Sequence, residues 1–186
     1  MEFAQELRHF MSLVGPAQKF YERPTDIDWD RVERELALSL PSDFKTLVST
    51  IGTGNFGDFT LLNPISTSPY AKLSKDRALL FSKNLEPILP EIGIRLYPDP
   101  GGALQIGRAG RIDLLSISDG KGSHLMWLDE DFRQTHPIKD SLLEFLPKLY
   151  SGDLKDDWAK AARGLIWSSE DPFFNPRPGI QSRKTP

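Results

Sequence analysis

The hydrophobic residues between positions 25 and 57 repeat twice at helical spacing, which predicts two consecutive amphipathic helices followed by a turn. The first apolar face is formed by Trp29, Val32 and Leu36. Asp28 or Asp30 is placed to cap the start of this helix, because a side-chain oxygen there can accept a hydrogen bond from a free backbone N–H. Pro41 suits the start of the second helix, since proline has no N–H to leave unpaired. The second apolar face is formed by Phe44, Leu47, Val48 and Ile51.

Four further helices are predicted from the same spacing, at residues 3–14, 73–85, 141–150 and 156–167. The inward positions expected in the first three are Phe3, Leu7, Phe10, Met11 and Val14, then Leu80 and Phe81, then Leu142, Phe145, Leu146 and Leu149. In the last helix they are Trp158, Ala162 and Leu165. Pro147 is expected to distort or end the regular part of its helix, because proline removes a backbone donor.

The middle of the chain changes to short apolar runs at 103–108, 111–118 and 123–128, which are separated by glycine-containing turns. This pattern is typical of antiparallel strands, and the run at 59–62 predicts one more strand. Helices first, strands in the middle and helices last indicate an α+β fold. We therefore predict a single domain with an antiparallel sheet of strands of mixed length, covered by helices on one face.

The length of 186 residues is sufficient for one hydrophobic core. The predicted organisation is an N-terminal helix and linker at 1–24, a main domain at 25–152, a C-terminal helix packed on the same domain at 153–171, and an extended tail at 172–186. No apolar run approaches the roughly 20 residues that span a bilayer, and the first residues lack the pattern of a signal peptide. A cytoplasmic protein without a membrane partner is expected.

Composition excludes several kinds of chemistry. The sequence has no cysteine, so disulfides, thiolate nucleophiles and cysteine-based zinc sites are excluded. The net charge of −3 argues against general nucleic-acid binding, which depends on an excess of lysine and arginine. Residues 128–157 carry eight acidic and four basic side chains, whereas the only charged residues after Asp171 are Arg177, Arg183 and Lys184. A basic partner for the acidic block is expected.

The residues Gly52, Gly54 and Gly57 match the G-x-G-x-x-G fingerprint of dinucleotide sites. A true site follows a strand and opens a helix whose N-terminus faces the pyrophosphate. Here the glycines follow a predicted helix and precede a predicted strand, so a helix end and turn is the better interpretation. No cofactor is predicted.

Catalytic and metal sites are not indicated either. His9, His124 and His136 do not have metal-ligand spacing. A hydrolase that uses His124 with Ser116 or Ser118 is one option, but residue inventory alone does not define a catalytic triad. We predict no catalytic residue and no metal ligand, and expect that the protein is not an enzyme.

The acids Asp129, Glu130 and Asp131 are consecutive, and Asp156 and Asp157 follow in the same acidic block. Consecutive acids at a strand end form a solvated turn in the simplest interpretation. A concentrated acidic surface can also attract a basic partner over a long range. These five residues are therefore the predicted partner-binding residues.

Several of these motifs, in this order, resemble the SUKH superfamily, the group related to a fungal cell-wall-synthesis regulator. The N-terminal part of the resemblance is carried by Trp29, Val32-Glu33, Leu40-Pro41, Phe44-Lys45, Leu47-Val48, Gly52, Gly54 and Pro64. The later part is carried by residues 95–102, Ile106-Gly107, Leu125-Met126-Trp127 and residues 141–146. Together they cover about residues 25–152.

The resemblance implies an α+β domain that acts as the immunity protein of a bacterial polymorphic toxin system. Such a protein binds a cognate toxin, often a nuclease, without covalent chemistry. The alternative that it implies is a non-enzymatic scaffold or regulatory interaction domain of the Smi/Knr type. The first helix and the tail lie outside the resemblance, so they are candidates for tuning partner choice or forming a homodimer.

Overall fold

A computed structural model describes residues 2–15, 19–118, 123–131, 133–168 and 171–177. The helices are α1 (Glu2–Val14), α2 (Asp26–Leu36), α3 (Ser42–Ile51), α4 (Lys75–Leu85), α5 (Leu89–Ile92), α6 (Leu142–Ser151) and α7 (Asp157–Ile166), with a 3-10 turn at Glu86–Ile88. The strands are β1 (Gly54–Phe56), β2 (Phe59–Leu61), β3 (Ala103–Ala109), β4 (Ile112–Ser118), β5 (Ser123–Asp129), β6 (Gln134–Ile138) and β7 (Asn175–Pro176). They form one antiparallel sheet in the order β6-β5-β4-β3-β2-β1-β7. The predicted α+β fold is confirmed.

The helix pair α2 and α3 is confirmed, although its first cap differs from the prediction. Thr25 is the N-cap of α2, and the carboxylate of Asp28, three residues later, accepts hydrogen bonds from the Thr25 backbone N–H (2.9 Å) and hydroxyl (2.8 Å). Asp28 therefore supports the cap from inside the helix, and Asp30 has no capping role. Glu33 joins the two helices by accepting from the Leu40 backbone N–H (2.7 Å) and pairing with Lys45 (2.9 Å).

One face of the sheet carries Leu104, Ile106, Leu114 and Trp127, all almost fully buried, and we call it the front face. The helices α1, α3, α6 and α7 contribute apolar side chains to the core on this side. The predicted inward residues of α3 and α6 are buried, as are those of α2. The main core of the protein therefore lies between the front face and these helices.

The opposite face, which we call the back face, is also partly covered, so the prediction of a sheet covered on one face was wrong. Ala103, Leu115 and Leu128 on this face pack in a second cluster with Phe81 and Leu85 of α4. The physical reason is that β3, β4 and β5 have apolar residues at consecutive positions. Strands with that pattern need a cover on both faces.

Helix faces were predicted less accurately than the helices themselves. Leu80 and Leu165 were expected to face inward, but they are 59% and 63% exposed. The inward residues are Ala78, Phe81 and Leu85 in α4, and Ala159, Ala162 and Ile166 in α7. Phe3 is exposed, whereas Phe10 and Val14 are buried as predicted. Pro147 was expected to distort or end its helix, but α6 continues to Ser151.

The strands β1, β6 and β7 were not predicted, and the strand expected at 59–62 is β2. Two of the missed strands are two or three residues long, and Pro137 interrupts the sequence pattern of β6. The part of the predicted tail at 172–177 packs on the domain: Phe173 lies 5.0 Å from Phe10 between ring centroids, and Phe174 lies 4.9 Å from Phe56. Residues 178–186 of the tail, with Arg183 and Lys184, lie outside the described residues.

The glycines of the G-x-G-x-x-G match occupy a helix end and a hairpin, as predicted. Gly52 follows α3 with a φ of 69°, and Gly57 turns the β1–β2 hairpin with a φ of 58°. A Cβ on Gly57 would lie 2.1 Å from the Ile166 backbone oxygen, and one on Gly54 would lie 2.2 Å from the Phe174 ring. Other chain segments therefore pack too closely against these positions to leave room for a side chain, which explains why they are glycines.

Replacing Gly57 by alanine is expected to lower the free energy of unfolding by about 2 kcal/mol or more, because the residue has a left-handed φ and the new Cβ meets backbone. Gly164→Ala is the matched control. Gly164 lies inside α7, and nothing lies within 4 Å of a Cβ built there, so alanine should stabilise the protein by about 0.5–1 kcal/mol. Urea unfolding measures both, and equal effects of the two changes would contradict this account.

Candidate functional site

The predicted acidic run is divided between the two faces of the sheet. Asp129 is the last residue of β5 and acts electrostatically on His136 on the front side, whereas Glu130 acts on Asp113 on the back side. Consecutive residues of a strand point to opposite faces, which accounts for this division. Asp131 follows in the turn, where it pairs with Arg111 (2.7 Å). The three acids therefore do not form one surface.

Asp129, Asp156, Asp157, His136 and Trp158 come together on the front side, and we call this group the acidic-aromatic patch. Asp129 and Asp156 lie in distant parts of the chain, yet both interact electrostatically with His136. Asp157 follows at the start of α7, with a side chain that is 98% exposed and pairs with Lys160 at 2.9 Å. The structure thus brings three of the five predicted partner-binding residues to one place.

The aromatic centre of the patch rests on the protein core. His136 and Trp158 are stacked, with ring centroids 4.8 Å apart and an interplanar angle of 7°. Beneath them Trp127 is the cross-strand neighbour of His136, and its ring centroid lies 6.1 Å from that of Trp158. Trp127 is buried. The half-buried side chains of His136 and Trp158 therefore pack on the buried ring of Trp127.

The imidazole of His136 is the one titratable ring within the acidic-aromatic patch, and its pKa decides whether it offsets the carboxylates around it. Partial burial lowers the pKa of His136, while the nearby carboxylates of Asp129 and Asp156 act in the opposite direction. Since the net pKa lies below the ordinary value, His136 is mostly uncharged at neutral pH. The imidazole therefore adds little positive charge to the acids around it.

A row of polar residues crosses the back face. The strand register places Asn55 beside Thr60, Thr60 beside Arg108, and Arg108 beside Asp113. The amide of Gln105 donates a hydrogen bond to Oδ1 of Asp113. This polar row lies beside the apolar cluster of the back face.

Asp113 is only 1% exposed, and its Oδ2 has no hydrogen-bond partner within the described part of the chain. Burial raises its pKa to about 8, the neighbouring carboxyl of Glu130 adds to the increase, and the bond from Gln105 and the charge of Arg108 oppose it. At neutral pH Asp113 is therefore mostly protonated. Arg108 consequently faces an uncharged acid across the strand pair.

Two clefts open on the back face, one on each side of Arg108. The first, of about 260 Å³, is the arginine cleft, and its lining includes Asn55, Asp58, Thr60, Tyr70, Arg108 and Arg177. The second, of about 240 Å³, lies between α4 and the sheet and includes Arg77, Leu80, Arg111 and Glu130. The Nε of Arg77 is buried and has no hydrogen-bond partner among the residues that the structure describes, and its Nη1 donates to the Pro69 oxygen at 3.2 Å. The back face thus concentrates arginine side chains.

The hydrolase option is not supported by the strand register. Ser116 lies opposite Leu125, Ile117 opposite His124, and Ser118 opposite Ser123. Alternation along the two strands therefore sends His124 to the back face and both serines to the front face. A serine–histidine pair cannot form in this arrangement.

The chain matches no protein-family model and no curated protein in comparisons with known proteins. Within the described ranges, no helix is long and apolar enough to cross a membrane. The same residues contain no cluster of three or more histidine, cysteine or acidic side chains suited to a metal ion.

Sequence reasoning did not identify the stacking of His136 on Trp158 or the burial of Asp113. One signal was available, because Asp113 is an acid between the apolar residues Ile112 and Leu114. A charge inside a buried strand predicts a special environment. The stacking of His136 on Trp158 had no such signal, since it depends on how α7 docks on β6.

Replacing Asp113 by asparagine is expected to change how stability depends on pH. A folded pKa near 8, well above the unfolded value, means that the stabilising contribution of Asp113 is complete below about pH 4 and is lost as the pH rises to about 8. The free energy of unfolding of D113N, measured relative to that of the natural chain, should therefore rise by about 2 kcal/mol or more as the pH increases from 5 to 8. Chemical unfolding at several pH values measures this, with Asp30→Asn as the surface control. If the free energies of unfolding of D113N and the natural chain changed in parallel with pH, the raised pKa of Asp113 would be contradicted.

Proposed function

We propose that this chain is a SUKH-type immunity protein of a bacterial polymorphic toxin system. In this proposal it acts in the cytoplasm and neutralises a basic toxin, of the nuclease class, by direct non-covalent binding. The observation that carries the proposal is the acidic-aromatic patch, in which Asp129 and Asp156 act on the stacked pair of His136 and Trp158 and Asp157 is exposed next to Trp158 in the chain. No catalytic step is assigned to the protein.

The positions that carry the SUKH resemblance support the family part of the proposal. Trp29, Phe44 and Leu47 are buried in the core, as expected for residues that specify a fold. The helix pair precedes the sheet, and α6 then covers its front face. This is the order of elements that the resemblance implies.

The composition of the patch suits recognition of a basic protein. Protein interfaces concentrate their binding energy in aromatic anchors, and Trp158 offers a half-buried ring already held in one orientation by His136 and Trp127. The surrounding carboxylates attract positive charge over a long range and speed association. A nuclease must carry a basic surface to hold phosphate, so an acidic partner can occupy that surface.

Neutralising the three acids of the patch is expected to slow association with the toxin. The variant D129N/D156N/D157N keeps side-chain oxygens that can accept hydrogen bonds but removes three negative charges. At low salt its association rate constant should fall by about 10-fold, with a smaller change in the dissociation rate constant. Stopped-flow mixing at several salt concentrations measures both.

The matched control is D30N/E35Q/E86Q, which removes the same charge from exposed acids outside the patch. Its association rate constant should fall by about 2-fold or less. Equal slowing by the two triple variants would show that net charge matters and that the patch does not.

The function itself is tested by co-expression with the protein encoded by the neighbouring gene. The proposal expects that this neighbour is a secreted multidomain toxin, that its C-terminal toxin domain stops growth when expressed alone, and that this chain restores growth. The proposal fails if the neighbour is harmless or if growth is not restored. Stable binding to a housekeeping protein, without a toxin neighbour, would instead favour the scaffold or regulatory alternative.

A further inference from the structure

The arginine cleft is separate from the acidic-aromatic patch. It lies on the back face near β1, β2 and β7, whereas the patch lies on the front side near the β6 edge. Its floor is formed by Thr60 and Arg108, and one wall is held by the tail, where the Arg177 backbone N–H donates to the Thr53 oxygen at 3.2 Å. A ligand there would not compete with a partner bound at the patch.

The two arginines of the cleft, Arg108 and Arg177, have no ion-pair partner in the described part of the chain, although the carboxylate of Asp58 also lines the cavity. Arg108 donates a hydrogen bond to the Gly110 oxygen (3.0 Å). The acid nearest to Arg108 along the polar row, Asp113, is mostly protonated at neutral pH. Arg108 and Arg177 line the same cavity, and guanidinium groups are the side chains best suited to hold an oxyanion.

The uncharged groups in the cleft add further donors. The Thr60 hydroxyl donates to Oδ1 of Asn55 at 3.0 Å, which leaves the amide nitrogen of Asn55 as a donor. Ser68 lines the same cavity. The polar floor thus matches a group with several acceptor oxygens, such as a phosphate monoester.

Two features at the cleft suit the rest of a nucleotide. Tyr70 is 71% exposed although its neighbour Ala71 is buried, so an aromatic ring stands at the cleft without a described packing partner. Asp58 is an exposed carboxylate that also lines the cleft, and a carboxylate can accept hydrogen bonds. An exposed ring can stack on a nucleobase, and a carboxylate can accept from a sugar hydroxyl.

We propose that the arginine cleft binds a nucleoside monophosphate. The phosphate is held by Arg108 and Arg177 with the amide of Asn55, the base stacks on Tyr70, and Asp58 accepts a hydrogen bond from the sugar. This proposal goes beyond the proposed toxin-binding function and does not depend on it.

Isothermal titration calorimetry of the full chain with AMP tests the proposal. One AMP should bind saturably, at least about 10-fold more tightly than adenosine or inorganic phosphate, because each probe lacks half of the contacts. Both R108Q and R177Q should weaken AMP binding by about 10-fold or more. Y70A should weaken AMP binding and leave phosphate binding unchanged.

The matched control is R95Q, which removes an exposed arginine outside the cleft and should leave AMP binding unchanged. Because Arg177 is exposed, R177Q tests the site even if R108Q does not fold. Absence of saturable AMP binding, or equal AMP binding by R177Q and the natural chain, would overturn the proposal. Ribose 5-phosphate binding as tightly as AMP would overturn the role of the base and of Tyr70.

Discussion

Burial of β3, β4 and β5 on both faces is the constraint that organises this protein. Successive side chains of a strand alternate, so Leu114 and Trp127 reach the front core while Leu115 and Leu128 reach the back cluster. Each face then needs an apolar helix surface to cover it. The front face receives several helices and the tail, whereas α4 covers only part of the back face. The arginine-rich clefts lie on that less fully covered face.

The features predicted correctly from the sequence are those set by local spacing. The helices α2 and α3 and the long strands each carry their own periodic signal, and the glycines near Gly52 mark a helix end. The errors concern long-range packing. The strands β1 and β7 are too short to show a period, and they exist because distant segments pair. Leu80 and Leu165 were wrongly predicted to face inward. The periodic pattern shows that a helix forms, but it shows less clearly which face of the helix packs on the core.

The predicted binding residues illustrate the same limit. Asp129, Glu130 and Asp131 are adjacent in sequence, but strand alternation separates the first two. Asp129 and Asp156 are distant in sequence, but both act on His136 because α7 begins beside β6. The result is a protein of net charge −3 with an acidic patch on one side and an arginine cleft on the other. The two proposed binding sites therefore lie on opposite faces of the sheet.

Hydrogen–deuterium exchange compares the surface of the chain alone with its surface in complex with the toxin domain encoded by the neighbouring gene. Binding through the acidic-aromatic patch predicts slower exchange at residues 134–138 and at the start of α7, around residues 157–160. The backbone of α2 and the arginine cleft should exchange at unchanged rates. Slower exchange in α2 or at the arginine cleft, with no change at β6 and α7, would contradict the assignment of the binding surface.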